Sequence, residues 1–182
     1  MKLQSIPVKV FATHSELIQV PANSYLLREG QLPNYLYYIH QGALMLLEDG
    51  PGNQHCQSFQ LEGAFYGSYT ALLGRMPSAY NLLALEDCLL ERIPYQHLPK
   101  AFATRQGSIQ SAQQITEELL RREAQRLYNQ LNQRAEQRYL DLLEEQPLAV
   151  YRVPLKHIAS YLGITPVTLS RLRKRISERE MS

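Results

Sequence analysis

Between Val20 and Pro94 the apolar positions fall into short runs separated by turn residues: SYLLREG, YLYYIHQG, ALMLLEDGPG, HCQSFQLEG, YNLLALED and CLLERIP. Their lengths suit strands. Tyr, Leu and Ile dominate them, and Gly30, Gly42, Gly50, Gly52 and Gly63 break the chain at intervals of about ten residues. The pattern predicts a small β-barrel or jelly roll, with EDGPGN as one of its hairpin turns.

Beyond Pro99 the period changes. From Arg105 to Gln146 there is no proline and a single glycine, Gly107. Leu120, Ala124, Leu127 and Leu131 recur at steps of 4, 3 and 4, and Ile109, Ala112, Thr116 and Leu119 continue the stripe upstream. That is a long helix with a narrow apolar seam, crowded by Arg121, Arg122, Glu123 and Arg126. Such a seam packs back on the barrel or pairs with its copy in a second chain as a parallel coiled coil, and the length of the helix favours pairing. A further helix, EQRYLDLLEEQP, is expected to stop at Pro147, with LAVYRVP as an extended link to the last segment. Strands first and helices afterwards indicate an α+β chain in separate units: a barrel over 1–104, a dimerisation helix over 105–134 and a helical unit over 135–182.

The last segment, LKHIASYLGITPVTLSRLRKRISE over 155–178, is the most informative. A helix-turn-helix needs a small residue where the second helix crosses the first, a glycine at the tight turn and apolar positions that lock the pair. Ala159 is the small residue and Gly163 follows it by four positions, with Ile158, Leu162 and Ile164 on the buried side. Thr165 suits the N-cap and Pro166 the first helical position. If Leu169, Leu172 and Ile176 face inward, Val167, Ser170, Arg171 and Lys174 share the outer face, which fits a DNA major groove. Arg171 is the candidate for a guanine edge, with Ser170 and Thr168 as shorter contacts. Arg173, Arg175 and Lys156 lie toward the flanks, where phosphates run. Thr165 completes the candidate set.

Charge distribution strengthens that reading. Residues 1–104 carry 6 Lys/Arg against 8 Asp/Glu, residues 105–149 carry 6 against 7, and residues 150–182 carry 7 against 2, a net +5 at the end of a 182-residue chain whose total is only +2. A basic unit behind a slightly acidic body points to a polyanion. Cys56 and Cys88 belong to no CxxC or Cys/His cluster, which argues against a zinc site, an iron–sulfur cluster or a disulfide scaffold and predicts reduced thiols in a cytoplasmic protein. Neither a signal-peptide core nor a run near the roughly 18 apolar residues of a membrane span occurs, so no membrane partner is expected.

The order of barrel, long helix and helix-turn-helix, carried above all by IASYLGITPVTLSRLRKRI and by LYYIHQGALMLLEDG, EGAFYGS and ALED, resembles the CRP/FNR (cyclic-AMP receptor protein-like) transcription regulators from about Val20 onward. The ending is similar to that of the shorter members associated with Bacteroidetes. The resemblance implies a cyclic-nucleotide-binding-like sensor barrel, a homodimer paired along Leu120, Ala124, Leu127 and Leu131, and double-stranded DNA and RNA polymerase as partners. It implies no catalysis and no cofactor. Departures are visible: Pro166 and Val167 stand where well-known DNA readers of the family place Arg and Glu, although Arg171 and Lys174 match the later positions. The N-terminal cysteines of oxygen-sensing members are missing, and a long winged hairpin has no room before Ser182.

The loop FYGSYTALLGRMPSAY, residues 65–80, bears on the ligand. In cyclic-nucleotide-binding relatives this stretch carries a Glu for the ribose and an Arg for the cyclic phosphate. Here Gly67 is kept, but Ser68 replaces the Glu and Pro77 replaces the Arg, with Ser78 and Ala79 following as in the family. Pro77 has neither charge nor N–H. Arg75 is two residues away, and Gly67, Ser68, Tyr69, Arg75, Ser78 and Ala79 are the candidate pocket residues for a different, less anionic effector. Two other classes are open. A metal-dependent barrel enzyme would need converging His and Glu ligands, and His14, His40, His55, His97 and His157 show no HxH spacing. A ligand-binding module would use its terminal helices for pairing or protein contacts alone.

Overall fold

The computed structural model describes residues 14–51, 54–67, 76–97 and 131–180, together with 117, 120, 121, 124, 125 and 127–129. Eight strands make up the first part: β1 (Glu16–Val20), β2 (Tyr25–Leu27), β3 (Tyr35–Gln41), β4 (Leu44–Asp49), β5 (Gln54–Gln60), β6 (Phe65–Tyr66), β7 (Asn81–Ala84) and β8 (Cys88–Pro94). They form two four-stranded antiparallel sheets, ordered β1-β8-β3-β6 and β2-β7-β4-β5. This is a jelly-roll sandwich. All six runs predicted from the apolar pattern contain a strand. β1 lies just upstream of the span read as strands, and β6, two residues long, is too short to carry a period.

Alternation along the strands gives each sheet two distinct faces. Tyr37 and Ile39 of β3, Leu44 of β4 and Leu90 of β8 point between the sheets and form the sandwich interior. Met45 and Leu47 of β4, with Cys56 and Phe59 of β5, point the other way and would be a bare apolar surface on their own. The helical unit covers them.

That unit comprises α1 (Ala135–Glu145), α2 (Pro147–Arg152), α3 (Leu155–Tyr161) and α4 (Pro166–Glu180). Tyr139, Leu142, Ala149, Val150, Ile158, Leu162 and Leu169 are buried together with the outer residues of β4 and β5 in one continuous cluster. The extended link expected over LAVYRVP is not extended: Pro147 ends one helix and occupies the first turn of the next. Proline is suited there, since its missing N–H is among those a helix start leaves unbonded. Burial of Ala149 and Val150 then fixes α2 against the core.

Candidate nucleic-acid interface and barrel cavity

The turn between α3 and α4 is built by three residues. Gly163 adopts φ +67°, the Ile164 N–H donates to the Ala159 carbonyl at 2.9 Å and the Gly163 N–H to the Ser160 carbonyl at 3.0 Å. This pair of bonds is the Schellman arrangement that glycine favours at a helix end. Thr165 then caps α4: its Oγ1 accepts from the Thr168 N–H at 3.1 Å and lies 2.8 Å from the Thr168 hydroxyl. Leu169, Leu172 and Ile176 are buried, and Ala159 is fully buried where the helices cross. Val167, Ser170, Arg171 and Lys174 are exposed on the opposite face, as the 3.6 period requires.

The basic residues divide in a way that charge counting did not foresee. Arg173 is turned into the unit, its guanidinium 5.5 Å from the centre of the Tyr139 ring and bonded to the Val150 carbonyl at 3.4 Å. Arg175 and Arg179 each bond one oxygen of Glu136 at 2.8 Å, tying α4 to α1. Arg152 grips Glu62 with both terminal nitrogens, at 2.7 and 2.8 Å, and also meets Glu86. Arg173 and Arg175, expected to face phosphates, both have partners within the chain, Arg175 while its side chain stays 54% exposed. Lys156 and Arg171 are exposed, and Lys174 has only a loose pairing with Glu178 at 3.8 Å.

Arg152 is the residue that sequence reasoning missed, having been counted with the polyanion-binding cations. Glu62 sits in the turn after β5 and also accepts the Gly42 N–H at 2.8 Å. The Arg152 hydrogen bonds hold the Glu62 carboxyl down to about 2, against opposing partial burial. The Arg152 guanidinium is correspondingly pushed up, first by Glu62 and then by Glu86. A second link lies alongside: the Cys56 N–H, on edge strand β5, donates to Ser160 Oγ of α3 at 2.9 Å, and the Phe59 and Tyr161 rings lie 5.0 Å apart. The helical unit therefore seats directly on the sandwich and satisfies part of an edge strand that would otherwise be open.

Between the sheets lies a cavity of about 640 Å³. Of the candidate pocket residues Gly67, Ser78 and Ala79 line it, whereas Ser68, Tyr69 and Arg75 lie outside the described residues. Gly67 lies close to two side-chain ends, which a larger residue there would have to displace. A Cβ there would come 2.5 Å from the Tyr95 hydroxyl and 2.9 Å from Leu36. Ser78, expected to offer its hydroxyl to a ligand, uses it within its own turn, donating to the Tyr80 carbonyl at 2.8 Å and accepting the Tyr80 N–H at 3.1 Å. The sequence reading had no signal for the deeper wall, where Tyr37 of β3, Tyr66 of β6 and Arg92 of β8 meet at one level because their strands are paired in register.

The described positions of the predicted seam are all exposed within a single chain, Leu120 by 48%, Leu127 by 56% and Leu131 by 75%, with Ala124 also exposed. Among the described residues no helix is long and apolar enough to cross a membrane, and no group of three or more His, Cys, Asp or Glu is placed to hold a metal ion.

Residues 17–105 match the family described as the cyclic nucleotide-binding domain. Along most of the chain the fold is similar to that of FixK2 from Bradyrhizobium japonicum, at 16% identity and a TM-score of 0.75, covering 91% of this chain and 86% of that one. It is also similar to CLP, the c-di-GMP responsive global regulator of Xanthomonas campestris, at 17% identity and a TM-score of 0.68 over 92% and 88%. CooA from Carboxydothermus hydrogenoformans is comparable, at 12% identity and a TM-score of 0.71 over 91% and 78%. No curated protein sequence matches. The fold is thus a cyclic nucleotide-binding-like β-sandwich followed by helices, similar to that of these structures.

Proposed function

We propose that this chain is a homodimeric, sequence-specific, DNA-binding transcription regulator of the cytoplasm, with a sensor barrel that does not take cyclic AMP. The observation that carries the reading is α4: a helix with a capped start, one face locked into a core, and Val167, Ser170, Arg171 and Lys174 exposed together on the other. A helix presented in this way fits the major groove, with Arg171 at base edges and Lys156 and Lys174 near phosphates. The exposed Leu120, Leu127 and Leu131 support pairing through the long helix, since three large apolar side chains on one stripe favour a partner. The division into barrel over 1–104, pairing helix over 105–134 and reading unit over 135–182 belongs to the same reading, and RNA polymerase is the machinery such a regulator acts upon.

Selection of bound sequences from a random DNA pool tests it. The expected result is a pseudo-palindrome with half-sites roughly 34 Å apart. Recovery of no enriched sequence would contradict it. The engagement of Arg152, Arg173, Arg175 and Arg179 within the chain favours a second reading, a ligand-binding module whose helices serve pairing alone. Binding of the exposed α4 face to DNA separates the two.

A further inference from the structure

We propose that the barrel cavity binds a monoanionic organic acid with an apolar, preferably aromatic, body, and that Arg92 on β8 reads its carboxylate. This rests on the reading of the barrel as a sensor, and it names the chemistry of what is sensed. Three observations carry it.

First, the cavity has a suitable size and wall. About 640 Å³ lies within the range of small-molecule sites. Leucines from the β2-β7-β4-β5 sheet face tyrosines from the other, so an occupant meets Leu26, Leu46 and Leu82 on one side and Tyr35, Tyr37 and Tyr66 on the opposite side. Such a surface suits an apolar or aromatic body, with Gln31, Asn34 and Gln57 as neutral polar groups in the lining. The Tyr66 hydroxyl is already occupied by Ser58 Oγ at 2.6 Å. Burial pushes the Tyr37 hydroxyl up to about 12, so it stays neutral across the physiological range.

Second, among the described residues lining the cavity Arg92 is the one charged group. Its charge is already shared with Glu16 on β1, so it can take up at most one further carboxylate. Among the described lining residues a second negative charge on the ligand finds no further cationic partner.

Third, Arg92 is held in place with its fork available. Its guanidinium lies 4.5 Å from the centre of the Tyr35 ring, and Nε is paired with Glu16 on β1. Among the described residues the two terminal nitrogens have no protein hydrogen bond, and these are the pair that binds a carboxylate end-on. Glu16 is more than half exposed at the rim, so it orients the fork and leaves the inner edge to the ligand.

The probe is 2-naphthoate, compared by titration calorimetry with its neutral analogue 2-naphthalenemethanol on the unaltered full-length chain. The expected result is saturable binding of the acid, at least tenfold tighter than the alcohol. The preference should fall to near unity in Arg92→Gln, with the thermal midpoint followed to verify folding. Equal binding of acid and alcohol to the unaltered chain, or no binding of either, would overturn the proposal without reference to any variant. So would an acid preference that survives intact in a folded Arg92→Gln chain. DNA binding by the same preparation separates the two readings. DNA binding with no naphthoate binding overturns the ligand assignment alone, and naphthoate binding with no DNA binding supports the ligand assignment while overturning the regulator.

Discussion

Arg171 and Arg173 stand two residues apart on α4 and end in opposite surroundings, one exposed and the other against Tyr139. Replacing Arg171 with Ala should cost about 1–3 kcal/mol on the preferred DNA site and relax specificity at one base position. Arg173→Ala should instead lower the thermal midpoint of the helical unit, because it removes a stacked and hydrogen-bonded side chain. Equal, uniform loss of DNA affinity in both variants would contradict this division. The outward direction of Arg171 was legible in the sequence because Leu169, Leu172 and Ile176 fix the buried face by period alone. The fate of Arg173 was only half legible. It follows Leu169 by four residues, a spacing that sets it beside the buried stripe, but a long stem can reach outward or fold inward, and packing decides which. Pro77 is a residue whose effect can be read directly. Lacking the charge-assisted pair to a cyclic phosphate, worth about 1.5–3 kcal/mol, the chain should not bind cyclic AMP or cyclic GMP at physiological concentrations. Calorimetric titration checks this, and micromolar binding abolished by Arg75→Ala would overturn it.

At the level of elements, the strands and the α3–α4 pair were legible because each carries its own local signal: a period, a glycine at positive φ, a capping threonine. The seat of the helices on β4 and β5 was not, because it joins residues 66 to 104 positions apart, and Glu62, Glu86 and Arg152 carry no periodic mark. α2 was misread for a related reason. Six residues starting with Pro147 are too few to show a helical stripe, and burial of Ala149 and Val150 settles their conformation. The Arg152 clamp has a definite pH signature. Because the Glu62 carboxyl is lowered from 4.5 to about 2 on folding, its contribution is fully present above pH 4.5 and disappears as the pH falls through about 2. Both side chains are partly exposed, so the contribution is small, about 0–1 kcal/mol. Thermal melts of the unaltered chain and Glu62→Gln should therefore differ slightly at neutral pH and converge toward pH 2. A gap that widens in acid would show that the clamp is not what holds the carboxyl low.

For the whole molecule, the described residues of one chain leave exposed the predicted leucine seam and the outer face of α4, among other positions. Pairing through the first would place two copies of the second on one side of a dimer, the arrangement a two-fold DNA site requires. Leu127→Glu should then yield monomers that bind DNA poorly, since it would set an unpaired carboxylate in each half of the interface. Light scattering showing an intact dimer would move the interface elsewhere. The most direct test of the regulator reading is the affinity for a selected DNA site measured across a range of salt concentrations. A dimer that contacts phosphates through Lys156, Lys174 and their symmetry mates should show log affinity falling linearly with log salt, by about 0.9 for each phosphate neutralised. A flat dependence, or no binding to any DNA at low salt, would contradict the account.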